Sequence, residues 1–111
     1  MNNSKIFLLS FLISCATLFC YAKDSTKTLL FFSANWCKYC ITAKNDLNSD
    51  PSLSEIIKQY DVIVLDFDKD KDIIDGHKIK SIPTFIVFQD GKEIKRYSGY
   101  RGPSDLFKFL K

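Results

Sequence analysis

The apolar positions of this chain change spacing several times along its length, and each change predicts an element. Leu29-Leu30-Phe31-Phe32 is a short apolar run held between Thr28 and Ser33-Ala34-Asn35, the pattern of a strand buried on both faces. Trp36, Cys40, Ala43 and Leu47 then recur at helical spacing and share one face, while Lys38, Thr42, Asn45 and Asp46 fall elsewhere. Asn48-Ser49-Asp50-Pro51 ends that helix, and Leu53, Ile56, Ile57 and Tyr60 mark a short second helical stretch. Val62-Ile63-Val64-Leu65 predicts another doubly buried strand. A helical connection separates it from the first, so the two should lie parallel. Asp72 to His77 predicts one or two helical turns stopped by Gly76. Thr84 to Phe88 and Glu93 to Tyr97 flank Gln89-Asp90-Gly91-Lys92, and an Asp-Gly between two β-rich runs is a strong hairpin signal. Pro103 with Ser104 opens a terminal helix whose Leu106, Phe107 and Leu110 should pack inward. The fold class is therefore α/β: a four-stranded mixed sheet, made of a parallel pair plus an antiparallel hairpin, flanked by helices.

The first segment follows a different logic. Met1-Asn2-Asn3-Ser4-Lys5 carries one positive charge, Ile6 to Phe19 carries none, and charged residues resume at Lys23 and Asp24. A basic start, a short apolar core and the small Ala22 after Cys20-Tyr21 predict a secretory signal peptide over 1–22, cleaved after Ala22. As a membrane anchor, Ile6 to Ala22 only just reaches the ~17–25 residues needed to cross a bilayer. Leu12-Ile13-Ser14-Cys15 also resembles a bacterial lipobox, which gives lipid attachment at Cys15 as the second reading. Retention of an uncleaved segment is the third. Residues 23–27 then form a short linker and 28–111 the folded domain.

Composition narrows the picture further. The chain has 111 residues, 46% hydrophobic and 26% charged, with a formal net charge of +3, enough for one small domain. All 13 acidic residues lie beyond Ala22 and are interleaved with the basic ones. No basic patch forms, so no nucleic-acid partner is expected. Of the 4 cysteines, Cys15 and Cys20 fall in the leader, leaving Cys37 and Cys40 as an isolated pair.

That pair is the chemical centre of the sequence. Trp36-Cys37-Lys38-Tyr39-Cys40 stands where the first strand gives way to a helix, so both sulfurs belong to the first helical turn, within reach of each other. Cys37 lies nearest the helix N-terminus, where unpaired N–H groups and the macrodipole favour a thiolate. Zinc would need two further ligands, and beyond the leader there is no other cysteine and a single histidine, His77, so no metal is expected. A structural disulfide closing so short a loop would contribute only roughly 2 kcal/mol. Two soft thiolates also suffice for copper(I), which stands as an alternative function.

Phe31-Phe32-Ser33-Ala34-Asn35-Trp36-Cys37-Lys38-Tyr39-Cys40, Lys80-Ser81-Ile82-Pro83-Thr84-Phe85, the Asp90-Gly91 hairpin and Tyr97-Ser98-Gly99-Tyr100 together resemble a thioredoxin-fold protein from about Thr28 to Lys111. Within the fold the chain is similar to small exported thioredoxin-like proteins and to the C-terminal periplasmic domain of the transmembrane disulfide reductase. The resemblance implies a thiol–disulfide oxidoreductase with Cys37 as attacking and Cys40 as resolving sulfur, and no cofactor. It implies that the Ile82-Pro83 bond is cis, lies against the cysteine pair and blocks metal binding there, with the Ile82 backbone pairing to a substrate strand. Trp36, Lys38, Tyr39, Ile82, Pro83, Thr84 and Gly99 become the supporting residues.

The departures from the family pattern bear on mechanism. Thioredoxins usually carry a buried Asp where this chain has Phe31, so resolution by Cys40 should be slower and its proton must leave by another route. Lys38-Tyr39 replaces Gly-Pro; Lys38 beside Cys37 should favour the thiolate and make the couple more oxidising. The extra N-terminal strand and helix of full-length thioredoxins have no room between the leader and the first strand, which makes this a trimmed thioredoxin fold. Nor is there room for the helical insertion of strong exported oxidants. The expected activity is thus reduction or isomerisation of disulfides in exported proteins, in the bacterial periplasm, with a membrane-embedded thiol reductant as electron donor; net oxidation is a further alternative. A monomer is expected.

Other residues carry weaker signals. Asp66-Phe67-Asp68-Lys69-Asp70 spaces its acids like a calcium loop, but Lys71 stands where glycine is needed and His77 where a bidentate glutamate is needed, so a solvated loop is the better reading. His77 beside Gly76 is expected to be an exposed helix-end residue. Tyr100 and Arg101 either flank the site or pack at the edge of the core.

Overall fold

The structure is a computed structural model and describes residues 27–111. The leader, its cleavage after Ala22 and lipid attachment at Cys15 lie outside the described residues. The elements run β1 (Lys27–Ser33), α1 (Lys38–Ser49), α2 (Pro51–Ile56), a 3₁₀ turn (Ile57–Gln59), β2 (Tyr60–Asp66), α3 (Lys71–Gly76), β3 (Thr84–Gln89), β4 (Lys92–Ser98) and α4 (Pro103–Leu110). Lys27, assigned to the linker from sequence, is the first residue of β1 and pairs with Tyr60.

The four strands are ordered β2-β1-β3-β4, with β1 parallel to β2 and the remaining pairs antiparallel. This is the mixed sheet expected from the block pattern. Strand alternation splits β1 between two cores. Leu29 and Phe31 join Phe85, Val87 and Tyr97 beneath α1, α2 and α4, where Cys40, Ala43, Leu47, Leu53, Leu106 and Leu110 complete the larger cluster. Phe32 and Ile86 turn the other way, onto Leu65 of β2, Ile74 of α3 and Ile79. Phe31 and Phe85 are register partners and their rings stack at 4.6 Å, an aromatic contact contributing roughly 0.5–1.5 kcal/mol beyond its area.

Local chemistry fixes the breaks between elements. Pro51 has no N–H to donate and is tolerated only in a first helical turn, so α1 ends before it and α2 begins at it. Asp50 serves both ends: its N–H donates to the Asp46 carbonyl, and its carboxylate accepts the Leu53 N–H at 3.1 Å. The β3–β4 turn has φ of 55° at Asp90 and 77° at Gly91, the left-handed pair that a two-residue hairpin loop requires.

Several expectations are corrected. Val62, Ile63 and Val64 were expected to be buried on both faces, yet they are 42%, 46% and 51% exposed, because among the described strands β2 lies at the edge, with a neighbour on one side only. Tyr60 opens β2 instead of closing the second helical stretch, and its hydroxyl donates to the Leu110 carbonyl at 2.6 Å. The α3 helix does not stop on a left-handed Gly76; the left-handed residue is Lys78, with φ of 56°. His77 is half-buried between the rings of Phe32 and Phe88, because the chain folds back over the sheet at that point. Phe107 is only partly buried, since the inward stripe of α4 is Leu106 and Leu110.

Tyr100 and Arg101 serve packing. The Tyr100 hydroxyl donates to Asp46 Oδ2 at 2.6 Å, tying the β4–α4 loop to α1, while the Arg101 guanidinium lies 4.7 Å over the Tyr97 ring. Burial first, and the bond to Asp46 second, raise the Tyr100 phenol above its ordinary 10.0. As pH climbs, the unfolded chain therefore gives up this proton before the folded chain does. The stability it contributes is complete below about pH 10 and is lost as pH rises through the folded value. Tyr100→Phe should cost about 0.5–1 kcal/mol in urea unfolding at neutral pH, as one partly exposed hydrogen bond would. The variant should also lose less stability than wild type between about pH 10 and pH 12.

Candidate active site

The site is built where β1 stops. Ser33 closes the strand, Asn35 and Trp36 form a turn, and the Cys37 N–H donates to the Ala34 carbonyl at 3.2 Å. Cys37 is then the N-cap of α1, with extended backbone angles, and its sulfur accepts the Cys40 N–H at 3.2 Å. Ordinarily a Ser, Thr, Asp or Asn oxygen fills this role. Here a sulfur receives one of the otherwise unpaired N–H groups at the positive end of the helix, an environment that stabilises a thiolate.

Cys37 and Cys40 form a disulfide with their Cα atoms 5.2 Å apart. The two sulfurs are not equivalent: Cys40 is fully enclosed at 0% exposure, on the buried stripe with Ala43 and Leu47, while Cys37 keeps 6%. An incoming group therefore meets Cys37 first. Lys38 and Tyr39, the residues between them, are exposed, so Lys38 adds a cation in the first turn of a helix that has no acid there.

Trp36 departs from its expected place. It lies ahead of the helix and is 64% exposed, not on the buried face, because the turn at Asn35-Trp36 breaks the helical spacing. Its indole N–H donates to Asp68 Oδ2 at 2.8 Å. Asp68 is held in turn by the loop after β2: Asp66 Oδ1 accepts the N–H of Asp68 at 2.8 Å and of Lys69 at 3.2 Å, and Asp70 Oδ2 accepts the Asp66 N–H at 2.7 Å. The acids that resemble a calcium loop in sequence are thus spent on backbone N–H groups and on Trp36.

The second motif reaches the same neighbourhood from the loop before β3. The Ile82–Pro83 peptide is cis, and Ile82 packs against the buried cluster that contains Cys37 and Cys40. Gly99, with φ of 85°, donates its N–H to the Pro83 carbonyl at 2.8 Å, and the Thr84 hydroxyl donates to the Ser81 carbonyl at 2.8 Å. Cys37, Cys40 and Ile82 therefore share one cluster, and Pro83, Thr84 and Gly99 form the tie behind it. Phe31 is 1% exposed within that cluster, and the buried polar residues among those described are Ser33 and Thr84, so no buried carboxylate stands near the sulfurs.

Sequence reasoning missed Asp68, Ser81 and Asp46 as positioning partners. The signal for Asp68 was indirect: an indole donor beside the cysteine motif needs an acceptor, and only folding shows which of several aspartates supplies it.

Comparison with known proteins agrees with this geometry. The model of the thioredoxin-like domain matches residues 20–111. A thioredoxin of Mycoplasmoides gallisepticum is 32% identical over 88 residues, covering 77% of this chain and 82% of that protein. An H-type thioredoxin of Fagopyrum esculentum is 31% identical over 91 residues, covering 78% and 73%. Among solved structures, oxidised mitochondrial thioredoxin 3 of Saccharomyces cerevisiae superposes with a TM-score of 0.66 at 25% identity, covering 79% of this chain and 78% of that one. The thioredoxin of Nicotiana alata gives 0.68 at 24%, covering 79% and 73%. With the Cys37–Cys40 disulfide at the cap of the helix that follows the central strand, and a family match over most of its length, the chain belongs to the thioredoxin-like family of thiol–disulfide oxidoreductases.

Proposed function

We propose that this oxidoreductase is exported, to the bacterial periplasm, and there reduces or isomerises disulfides in other exported proteins. The observation that carries the reading is the unequal placement of the two sulfurs: Cys37 outermost and capping a helix, Cys40 enclosed one turn deeper. The Cys37 thiolate attacks one sulfur of a substrate disulfide, forming a mixed disulfide and releasing the other sulfur as a thiolate. Cys40 then loses its proton and attacks the Cys37 sulfur, which breaks the mixed bond and frees the second substrate thiolate. Two electrons pass to the substrate and the protein is left with Cys37–Cys40 oxidised.

The remaining site residues position these steps. The Ile82 backbone, turned by Pro83, pairs with an extended substrate segment, and Thr84 and Gly99 hold that loop in place. Trp36 and Tyr39 provide exposed aromatic surface on either side of Cys37, and Lys38 favours its thiolate. A membrane-embedded thiol reductant returns the pair to the dithiol. The leader over 1–22 supports export, and cleavage after Ala22 places the domain free in that compartment.

Cys40→Ser should accumulate covalent complexes with exported proteins, resolved on non-reducing gels, while Cys37→Ser should accumulate none. Equal trapping by both variants would sink the assigned roles. Tight copper(I) binding by the reduced wild type, together with failure to reduce insulin, would replace the enzyme reading with copper carriage.

The reduction potential of the couple should fall between roughly −270 mV, typical of a thioredoxin, and roughly −120 mV, typical of a strong exported oxidant. Lys38 is the reason it should lie above the lower figure. Equilibration against glutathione buffers measures it, and Lys38→Gly should move it downward.

Resolution should also be unusually dependent on pH. With Phe31 in place of a buried acid, the Cys40 proton passes to solvent base. The rate at which Cys40 breaks a Cys37 mixed disulfide should rise steadily with hydroxide concentration from about pH 6 to about pH 8. A flat rate over that interval would mean that another group takes the proton.

A further inference from the structure

The outer edge of β2 is an apolar strand edge with no neighbouring strand among the described residues. The other sheet edge, β4, carries Lys92, Glu93, Lys95 and Arg96, and an irregularity at Val87/Phe88 disturbs the register beside it. Such charges and irregularities are the usual means of keeping a sheet edge from pairing. Between Asp61 and Leu65, β2 presents only Val62, Ile63 and Val64, all half-exposed.

The backbone direction of this edge can be read from neighbouring bonds. The Phe67 N–H donates to the Ser33 carbonyl of β1, whereas the Asp66 N–H points away and is taken by Asp70. Alternation along a strand therefore turns Ile63 and Leu65 toward β1 and leaves the N–H and C=O of Val62 and Val64 facing outward.

We propose that two copies of the chain pair antiparallel through these edges, about a twofold axis passing between their Ile63 residues. A twofold contact must be self-complementary, and this register is. Val62 faces Val64 of the second copy, so the two residues whose backbone groups face outward exchange both hydrogen bonds, and the symmetry repeats the exchange. Ile63 faces Ile63 as the closer, non-hydrogen-bonded pair. Asp61 faces Leu65 and never its own copy. Tyr60 faces Asp66 across the axis, and the Lys27 ammonium already lies 5.9 Å over the Tyr60 ring, which brings a cation to the row where that carboxylate arrives. Centring the pair on Val62 would instead place Asp61 against Ile63. With the leader removed as proposed above, the residues ahead of β1 would be Lys23-Asp24-Ser25-Thr26, which have no apolar side chain to lay over Ile63, and in that form a second copy suits the edge better than the chain's own preceding residues. The inference rests on the proposed removal of the leader, revises the monomer expected from sequence and is independent of the catalytic roles.

Sedimentation of the purified full-length gene product, as processed by the cell, tests it at loading concentrations from roughly 1 µM to 1 mM, where transient pairs dissociate. Wild type should show a concentration-dependent dimer. Ile63→Lys, which sets two cations against each other at the axis, should weaken it at least about tenfold while melting temperature and insulin reduction stay unchanged. In a Cys37→Ser, Cys40→Ser background, Ile63→Cys should oxidise to a covalent dimer, and Val62→Cys or Val64→Cys alone should not. A monomer at every concentration would overturn the proposal, as would a dimer indifferent to Ile63→Lys or cross-linking that favours Val62→Cys. A monomer whose Val62 and Val64 amides resist hydrogen exchange would overturn it in favour of the chain's own N-terminal residues.

Discussion

The architecture depends on β1 running through the interior of the sheet and ending where a helix must begin. With β2 on one side and β3 on the other, its Leu29, Phe31 and Phe32 are almost wholly enclosed, and they seed both cores. The helix that follows buries Cys40, Ala43 and Leu47 against the same cluster, so its axis is fixed relative to the strand. The position of Cys37 is then not adjustable. It caps the helix because the turn over Asn35 and Trp36 leaves no other residue to do so, and the sulfur occupies the place where a hydroxyl or carboxylate would otherwise satisfy the first turn. Reactivity and helix initiation are the same interaction.

Two further contacts hold the rim of the site against that fixed point. The bond from Trp36 to Asp68 links the turn before Cys37 to the loop after β2, where Asp66 and Asp70 carboxylates accept backbone N–H groups. The bond from Gly99 to the Pro83 carbonyl links the end of β4 to the loop before β3. Neither is costly to make. Each joins segments distant in sequence that already meet because the strands of one sheet end at a common edge of the molecule.

Much of this was legible in the sequence for identifiable reasons. Asp90-Gly91 names its own turn, Pro51 its own helix break, and Cys37 and Cys40 their own chemistry, because in each case the residue type carries a constraint independent of neighbours. Val62-Ile63-Val64 was misread because an apolar run reports only what a strand can bury, and whether it does so depends on strand order, which is a global property. Trp36 was misread because helical spacing continues on paper through a turn that the chain does not follow as a helix. His77 was misread because its burial comes from Phe32 and Phe88, on strands that local sequence does not bring beside it.

The Phe31 position joins the two halves of this account. A carboxylate there would sit in the middle of the larger core, facing Phe85 at stacking distance, and would have to be kept in an unfavourable medium by the rest of the protein. Phe31 removes that cost and strengthens the contact on which β1 and β3 depend. The same side chain leaves no buried carboxylate near Cys40 among the described residues, so the packing of the core and the setting of the inner sulfur are decided at one position. A small domain with few strands to share the burden gains more from a well-packed centre than a larger one does, because its total apolar burial is smaller to begin with. In a sheet of four described strands that advantage falls on β1, whose Phe31 packs against Phe85 at the centre of the cluster that encloses Cys40.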